Sequence, residues 1–359
     1  MSRAYVCHTF YHVYVSYLKE CALKARGEYD GSKADVLLST LCTEFGDLQN
    51  RMMKTGFWNQ VYMYEEKHFK DFPELDKYKK DRGNIAVNMF YRMRFFKKLA
   101  KLEAPYVPTD MKQYKDIYVF SDADPIGYYL NANKIHYHAV EDGLNCLRRF
   151  DGARYDNRGA FKIKEWMAKH NLIFIQNGHS KYCVDMEVND KSVIQYDREF
   201  YKEVPRKALV DRLTKEDKEV ILRTFISNID EIYELVKQAN EPGGIPLALI
   251  LTEPLCEHDV RKRIYDDMIA QYCQGLKVVI KPHPRDTFDY VNRFPDEIVL
   301  DGKFPMELMN FIEGLWFEKT FSILTEVTGI EFSKESKRLG VSFLDLYEDP
   351  MKHRYNEFI

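Results

Sequence analysis

The sequence predicts an α/β protein built from two Rossmann-like halves that face each other across a cleft. Three observations carry this expectation. The chain has 359 residues, more than one hydrophobic core usually serves. Short apolar strands alternate with helical patterns, as in parallel βαβ units. The alternation then restarts after one break rich in proline and glycine, Glu241-Pro242-Gly243-Gly244-Ile245-Pro246, which cannot continue a helix. The boundary therefore falls there, giving domains 1–240 and 241–359.

The elements follow in order. Residues 3–9 (RAYVCHT) read as a strand, 12–26 as a helix and 34–40 (ADVLLST) as a second strand. Residues 45–80 lack clean alternation and predict helices and little more. A helix fits 88–103, where apolar positions recur at helical spacing opposite a basic face. Strands fit 116–121 (DIYVFS) and 135–140 (IHYHAV). The apolar runs within 172–200 predict hairpins or a sheet edge. Thr214-Lys215-Glu216-Asp217 resembles a helix N-cap with an acidic first turn, opening a helical stretch to Ala239 that breaks near 227. Beyond the linker come a fully apolar strand at 246–252, a helix at 259–274, and strands at 276–281 and 297–300.

Composition bounds the function. Hydrophobic residues at 45% and charged residues at 30% fit a globular enzyme and exclude a disordered chain. A net charge of −3 gives no ground for a nucleic-acid partner. Cysteines 7, 21, 42, 146, 183, 256 and 273 are odd in number and form no CxxC pair, which predicts reduced thiols in the cytoplasm. The N-terminus shows no signal-peptide run, and no stretch approaches the ~18 apolar residues of a membrane span.

Lys281-Pro282-His283-Pro284 follows a buried strand, and ligands of open α/β sheets bind at strand carboxyl ends. The prolines fix the backbone around His283, whose imidazole can donate a proton to a leaving group near neutral pH. Lys281 and Pro284 fall on the same ligand-facing segment. In the first half, Glu141-Asp142-Gly143 also ends a strand. Adjacent acids alternate faces, so one can line the cleft as a general base while the other holds its neighbours, and the glycine permits the tight turn. A turn histidine and a plain acidic turn are the bland readings, and the pairing of the two motifs is what favours chemistry.

That pairing resembles the signature shared by several bacterial sialyltransferase families. The opening Tyr5-Val6-Cys7-His8-Thr9-Phe10-Tyr11-His12 is similar to glycosyltransferase family 52, the lipooligosaccharide sialyltransferase family. The resemblance implies a GT-B fold, with an acceptor-side N-terminal domain and a C-terminal domain for the nucleotide-sugar donor. It implies transfer of sialic acid from CMP-sialic acid to a galactose-type hydroxyl, with inversion and without a metal or other cofactor. Asp142 would be the base, with Asp259 second, since a carboxylate before the His-Pro motif can serve in family 52. Glu253 and Glu257 lie on the same stretch. His8, Thr9, Glu141 and Gly143 would line the acceptor side. Glu307, in Phe304-Pro305-Met306-Glu307, is similar to the Pro-x-Glu segment that holds the ribose. Thr320, Ser322 and Thr325 resemble the hydroxyl-rich turn that holds the CMP phosphate at a helix start, although the usual adjacent serine pair is missing. A transferase with a UDP-hexose or CDP-polyol donor, and a non-catalytic binding protein, remain open alternatives. The partners implied are a nucleotide-sugar donor and a glycan or glycolipid acceptor, with room for a homodimer.

Three further motifs read as structural. Asp122-Ala123-Asp124 is a DxD followed at once by proline, His136-Tyr137-His138 lacks a third ligand at telling spacing, and Asn177-Gly178-His179-Ser180 is a turn. No GxGxxG or P-loop is present. On the 88–103 helix, Arg92, Arg94, Lys97, Lys98 and Lys101 among Phe90, Phe95, Phe96 and Leu99 make a solvated basic face or a peripheral contact with anionic membrane at the cytoplasmic side.

Overall fold

The computed structural model describes residues 2–143, 147, 151–327 and 330–350. Its first sheet holds seven strands, β1 (Arg3–Cys7), β2 (Asp35–Ser39), β3 (Val61–Tyr64), β4 (Asp116–Val119), β5 (Tyr137–Val140), β6 (Cys183–Val188) and β7 (Tyr201–Glu203). They lie in the order β3-β2-β1-β4-β5-β6-β7, every pairing parallel. Chain order reverses between β1 and β4, so the crevice beyond their carboxyl ends is the topological switch point. β1 and β2 are buried throughout, as strands covered on both faces must be. Ala4, Val6, Leu37, Ile117, Val119 and Ala139 lead the core beneath this crevice.

The helix Phe10–Ala25 leaves β1 after a two-residue turn, with the Thr9 hydroxyl accepting the His12 N–H at 3.2 Å as N-cap. The helix Pro125–Ala132 packs so closely on the turn before it that a Cβ at Gly127 would stand 1.9 Å from the Asp122 carbonyl oxygen. Only glycine fits there.

The second sheet holds β8 (Leu247–Leu251), β9 (Lys277–Lys281), β10 (Ile298–Val299), β11 (Phe317–Ser322) and β12 (Ser333–Arg338). Their order is β10-β9-β8-β11-β12, again all parallel. Here the switch point lies between β8 and β11. The helix His258–Tyr272 joins β8 to β9 and packs Ile264, Tyr265 and Met268 onto a core with Ala248, Val278 and Ile280. The chain divides into two compact units, Met1–Asp217 and Lys218–Ile359, and the Pro/Gly stretch 241–246 leads directly into β8. Thr214 and Asp217 cap the helix Lys215–Phe225 reciprocally, and the predicted break separates it from Ile229–Asn240.

Three expectations are revised, and one strand was not anticipated. The 45–80 stretch contributes a full strand, β3, whose VYMY shows no alternation because both faces are partly covered. Of the two readings of 172–200, no hairpin forms, and Ile173, Phe174 and Ile175 are buried without strand pairing, but β6 lies there and with β7 makes the parallel edge of the sheet. Among the described residues the 320–325 turn opens no helix; Thr320 and Ser322 lie in β11. Finally, β12 (SKESKR) carries no apolar signal because it is an exposed edge, where charge discourages further pairing. Cys146 lies outside the described residues, and the other six cysteines are free thiols.

Candidate functional site

In the first unit, the carboxyl ends of β1, β3, β4 and β5 bring together His8, His12, Glu66, Asp124 and Asp142. Glu66, which follows β3, is buried and fully engaged. Its Oε1 accepts the Ile126 N–H at 2.8 Å, and its Oε2 accepts the Ser39 hydroxyl at 2.6 Å. The same Oε2 lies 2.8 Å from His8 Nε2. Asp124 Oδ2 stands 3.5 Å from that ring nitrogen. Burial opposes charge on His8, but Glu66, Asp124 and Asp142 outweigh it and raise its pKa. His8 Nδ1 is buried without a partner among the described residues.

Asp142 is the most accessible carboxylate of the group, its side chain 51% exposed, and it is hydrogen-bonded to His12 Nε2. His12 is fully buried and stacks on Phe120 at 4.6 Å. Its Nδ1 accepts the His8 backbone N–H at 3.0 Å, so the neutral ring carries its proton on Nε2 and donates it to Asp142. Burial lowers the His12 pKa below its ordinary value despite Asp142, which keeps the ring neutral. The neighbouring acid, Glu141, is buried and accepts the Asn189 N–H at 3.0 Å. Gly143 turns the chain at φ +100°, a conformation side chains rarely adopt. Thr9 serves as the helix cap described above.

In the second unit, His283 follows β9 directly and is half-buried. Its backbone N–H donates to the Thr252 hydroxyl at 3.1 Å, and its Nδ1 accepts the Arg285 N–H at 3.1 Å. The neutral ring therefore holds its proton on Nε2. Burial, then the Arg285 and Lys281 charges, lower its pKa. The loop is braced from below. Buried Arg261 donates to the carbonyls of Leu255 (2.7 Å) and Cys256 (2.8 Å) and pairs with Asp286, which also accepts the Phe288 N–H and the Tyr290 hydroxyl. Lys281 is buried, its ammonium 4.2 Å from the Phe304 ring centroid, and burial pushes its pKa down to about 8. Glu307 is exposed in the first turn of a 3-10 helix, Met306–Phe311.

The hydroxyl-rich turn holds a feature the sequence did not reveal. The Leu324 and Thr325 N–H groups converge on Glu253 Oε1 at 3.0 and 2.6 Å, so an internal carboxylate fills a nest suited to an anion. Glu253 Oε2 is buried and unpaired among the described residues. Ser322 donates to the Thr325 carbonyl at 2.7 Å, and Thr320 is fully buried within β11. Asp259 is exposed in the first turn of the helix His258–Tyr272, where a carboxylate complements the helix dipole. Pro284 is exposed.

Of the three motifs read as structural, Asp122, His138 and His179 are engaged by the fold, whereas Asp124 joins the His8 and Glu66 group. Asp122 is buried, its two oxygens accepting the Asn177 N–H (2.8 Å) and the Tyr137 hydroxyl (3.0 Å). Burial pushes its pKa up to about 6. His138 Nδ1 lies 2.6 Å from Asp185, and His179 is buried with Nδ1 2.9 Å from Glu165. Among the described residues, no cluster of three or more His, Cys, Asp or Glu could hold a metal ion.

The two all-parallel sheets with inner switch points define the α/β architecture of GT-B glycosyltransferases. The model of glycosyltransferase family 52 matches residues 77–327, and the chain belongs to that family. Among solved structures, it is similar to the 2,6-sialyltransferase of Photobacterium sp. JT-ISH-224, crystallised with CMP and lactose. That match has 10% identity, covers 93% of this chain and 70% of the other, and has a TM-score of 0.54. A second similarity is to the α/β-galactoside α-2,3-sialyltransferase of Photobacterium phosphoreum, at 12% identity, 90% and 85% coverage, and TM-score 0.45. An uncharacterized protein of Haemophilus influenzae is 34% identical over 70 residues, 18% of this chain and 22% of that protein. The chain thus matches under a quarter of that relative's length.

Proposed function

We propose that this protein transfers sialic acid, with inversion, from CMP-sialic acid to a galactose-type hydroxyl of a cell-surface glycan or glycolipid. What carries the reading, in a family 52 chain, is the state of two proton-handling groups. Asp142 and His283 are each fixed through one atom by internal hydrogen bonds, leaving a second atom for a ligand. Asp142 accepts the proton of the acceptor hydroxyl, and His283 Nε2–H stabilises the departing CMP phosphate. Glu307 accepts hydrogen bonds from the ribose diol. Of the three hydroxyl candidates, Thr320 and Ser322 are both fully buried in β11, and Thr325, partly exposed at the strand-end turn, suits the phosphate best. The expected place of action is the cytoplasmic face of the membrane.

CMP should raise the melting temperature clearly more than UDP, GDP or ADP at equal concentration, because a nucleotide that binds only the folded state stabilises it. If UDP or GDP wins by several degrees, the donor assignment is wrong.

The reaction, in this reading, runs without a metal. The leaving group carries one phosphate, and both oxygens of Asp122 are engaged by the fold. Activity should survive EDTA with little loss. Complete inactivation, restored by Mn²⁺ or Mg²⁺, would make Asp122 and Asp124 ligands instead.

A further inference from the structure

We propose that the first unit carries a docking surface for anionic lipid bilayers, formed by the helices Ile85–Glu103 and Phe161–Lys169 together. The expected basic face needs one correction: Arg92 does not belong to it. Its guanidinium is drawn inward to Asn157 and the Phe174 carbonyl, and burial lowers its pKa. That inward turn joins the two helices, because Lys164 donates to the carbonyl of the same Asn157 at 3.3 Å. Met93 of one helix and Met167 of the other also pack on one small core of Ala153, Ala168, Ile173 and Ile175.

Large apolar side chains remain in water around this junction. Phe90, one turn before Met93, is 51% exposed. Ile163 and Trp166, beside Met167, are 63% and 57% exposed, and Ile85 is 66% exposed at the helix start. Isolated exposed apolar residues are ordinary, but four large ones on two helices bridged through Asn157 and a shared core are not. Their flanks are cationic. Arg94 lies 5.0 Å over the Phe90 ring, Lys97, Lys98 and Lys101 continue that helix, Lys162 precedes Ile163 in the second, and Arg158 lies 4.9 Å over the exposed Tyr155 ring just before it. Against them Asp156 accepts from Gln176, and Glu165 is held by His179. Aromatic and aliphatic side chains ringed by cations suit a bilayer interface, where rings enter the headgroup layer while cations meet anionic lipid.

This surface is independent of the donor chemistry, so it is tested by binding alone. The full-length protein is sedimented with vesicles of phosphatidylcholine and of phosphatidylcholine mixed with phosphatidylglycerol, at low and high salt. Binding is expected only to the anionic vesicles, and salt should release it. Reversing Lys97, Lys98 and Lys101 to Glu should weaken binding by at least ~100-fold, taking roughly fivefold per cation. Ile163→Ser with Trp166→Ser should weaken it by about tenfold or more. An unchanged melting temperature establishes that each variant is folded. Absent binding, equal binding to neutral vesicles, insensitivity to salt, or insensitivity of folded variants would each overturn the proposal. Self-association that the serine variant abolishes, without vesicle binding, would overturn it in favour of an interface between copies.

Discussion

Turnover should fall by roughly 10²–10⁴-fold in His283→Ala, the span expected when a general acid or a donor to the leaving group is lost. CMP affinity should change far less, because the missing interaction strengthens only as negative charge develops on the departing phosphate. The geometry also fixes the sign of the pH dependence. Nδ1 is committed to the Arg285 N–H, and burial with the Arg285 and Lys281 charges holds the ring below its ordinary pKa. At neutral pH the ring is therefore neutral and donates a hydrogen bond from Nε2. A phosphate monoester has a second pKa near ~6, so stabilising its charge suffices and full protonation is unnecessary. As pH falls through the lowered pKa, protonation of Nδ1 ends its acceptance of the Arg285 N–H, so the oriented contribution of His283 is lost there although Nε2 still carries a proton. Steady-state kinetics across pH, beside calorimetry of CMP binding, reads both claims. Activity that disappears as pH rises through ~6.5, and does so only in the wild type, would show that the cationic ring is needed instead. His283→Gln, which can place an N–H near the same point, should recover part of the loss.

The fold was legible where burial leaves a signature. β1, β2, β8 and β9 are covered on both faces, and their apolar runs stand out in the sequence almost to their ends. The elements missed are those whose stability comes from neighbours. β3 is partly covered, and β12 is polar throughout because it borders solvent. β11 contains Lys319, Thr320 and Ser322, so its sequence looks like a loop although the sheet holds it on both sides. At the sites, the strand-end motifs EDG and KPHP were visible because proline and glycine punctuate them. Their supports were not. His12 looked like one helical residue among several, and Glu66 lies in a charged stretch without a pattern. Arg261 lies far before His283 in the chain, a separation that means nothing until β8 and β9 are paired. The usable signals for His12 were its place in the first turn of the first helix, at the switch point, and its position at the end of the opening that resembles family 52. Glu253 was noticed as an acid near the strand end, but its grip on the 324–325 turn depends on β8 and β11 being neighbours.

Asp142→Asn should lower turnover by roughly 10²–10⁴-fold, because an amide cannot take the acceptor proton. The structure adds a second, dependent effect at His12. Its Nε2–H holds one Asp142 oxygen, while Phe120 on the ring face and the His8 N–H on Nδ1 hold the imidazole. His12→Phe keeps the ring stacking and removes the donor, leaving Asp142 free to rotate. Misplacing a catalytic group on the order of 1 Å can cost about 10²-fold, and that is the expected loss in kcat, with KM for CMP-sialic acid little changed. His12→Gln, which retains a terminal N–H, should recover much of it. A spectroscopic readout separates positioning from general damage. Burial lowers the His12 pKa while Asp142 pulls it upward, so Asp142→Asn must depress it further when the ring is followed by NMR. The double variant His12→Phe with Asp142→Asn should be no slower than Asp142→Asn alone, since the two residues act as one unit. Should Asp142→Asn stay near wild type while Asp259→Asn collapses, the base belongs to the second unit, and the His12 pair is a structural hydrogen bond at the end of β5.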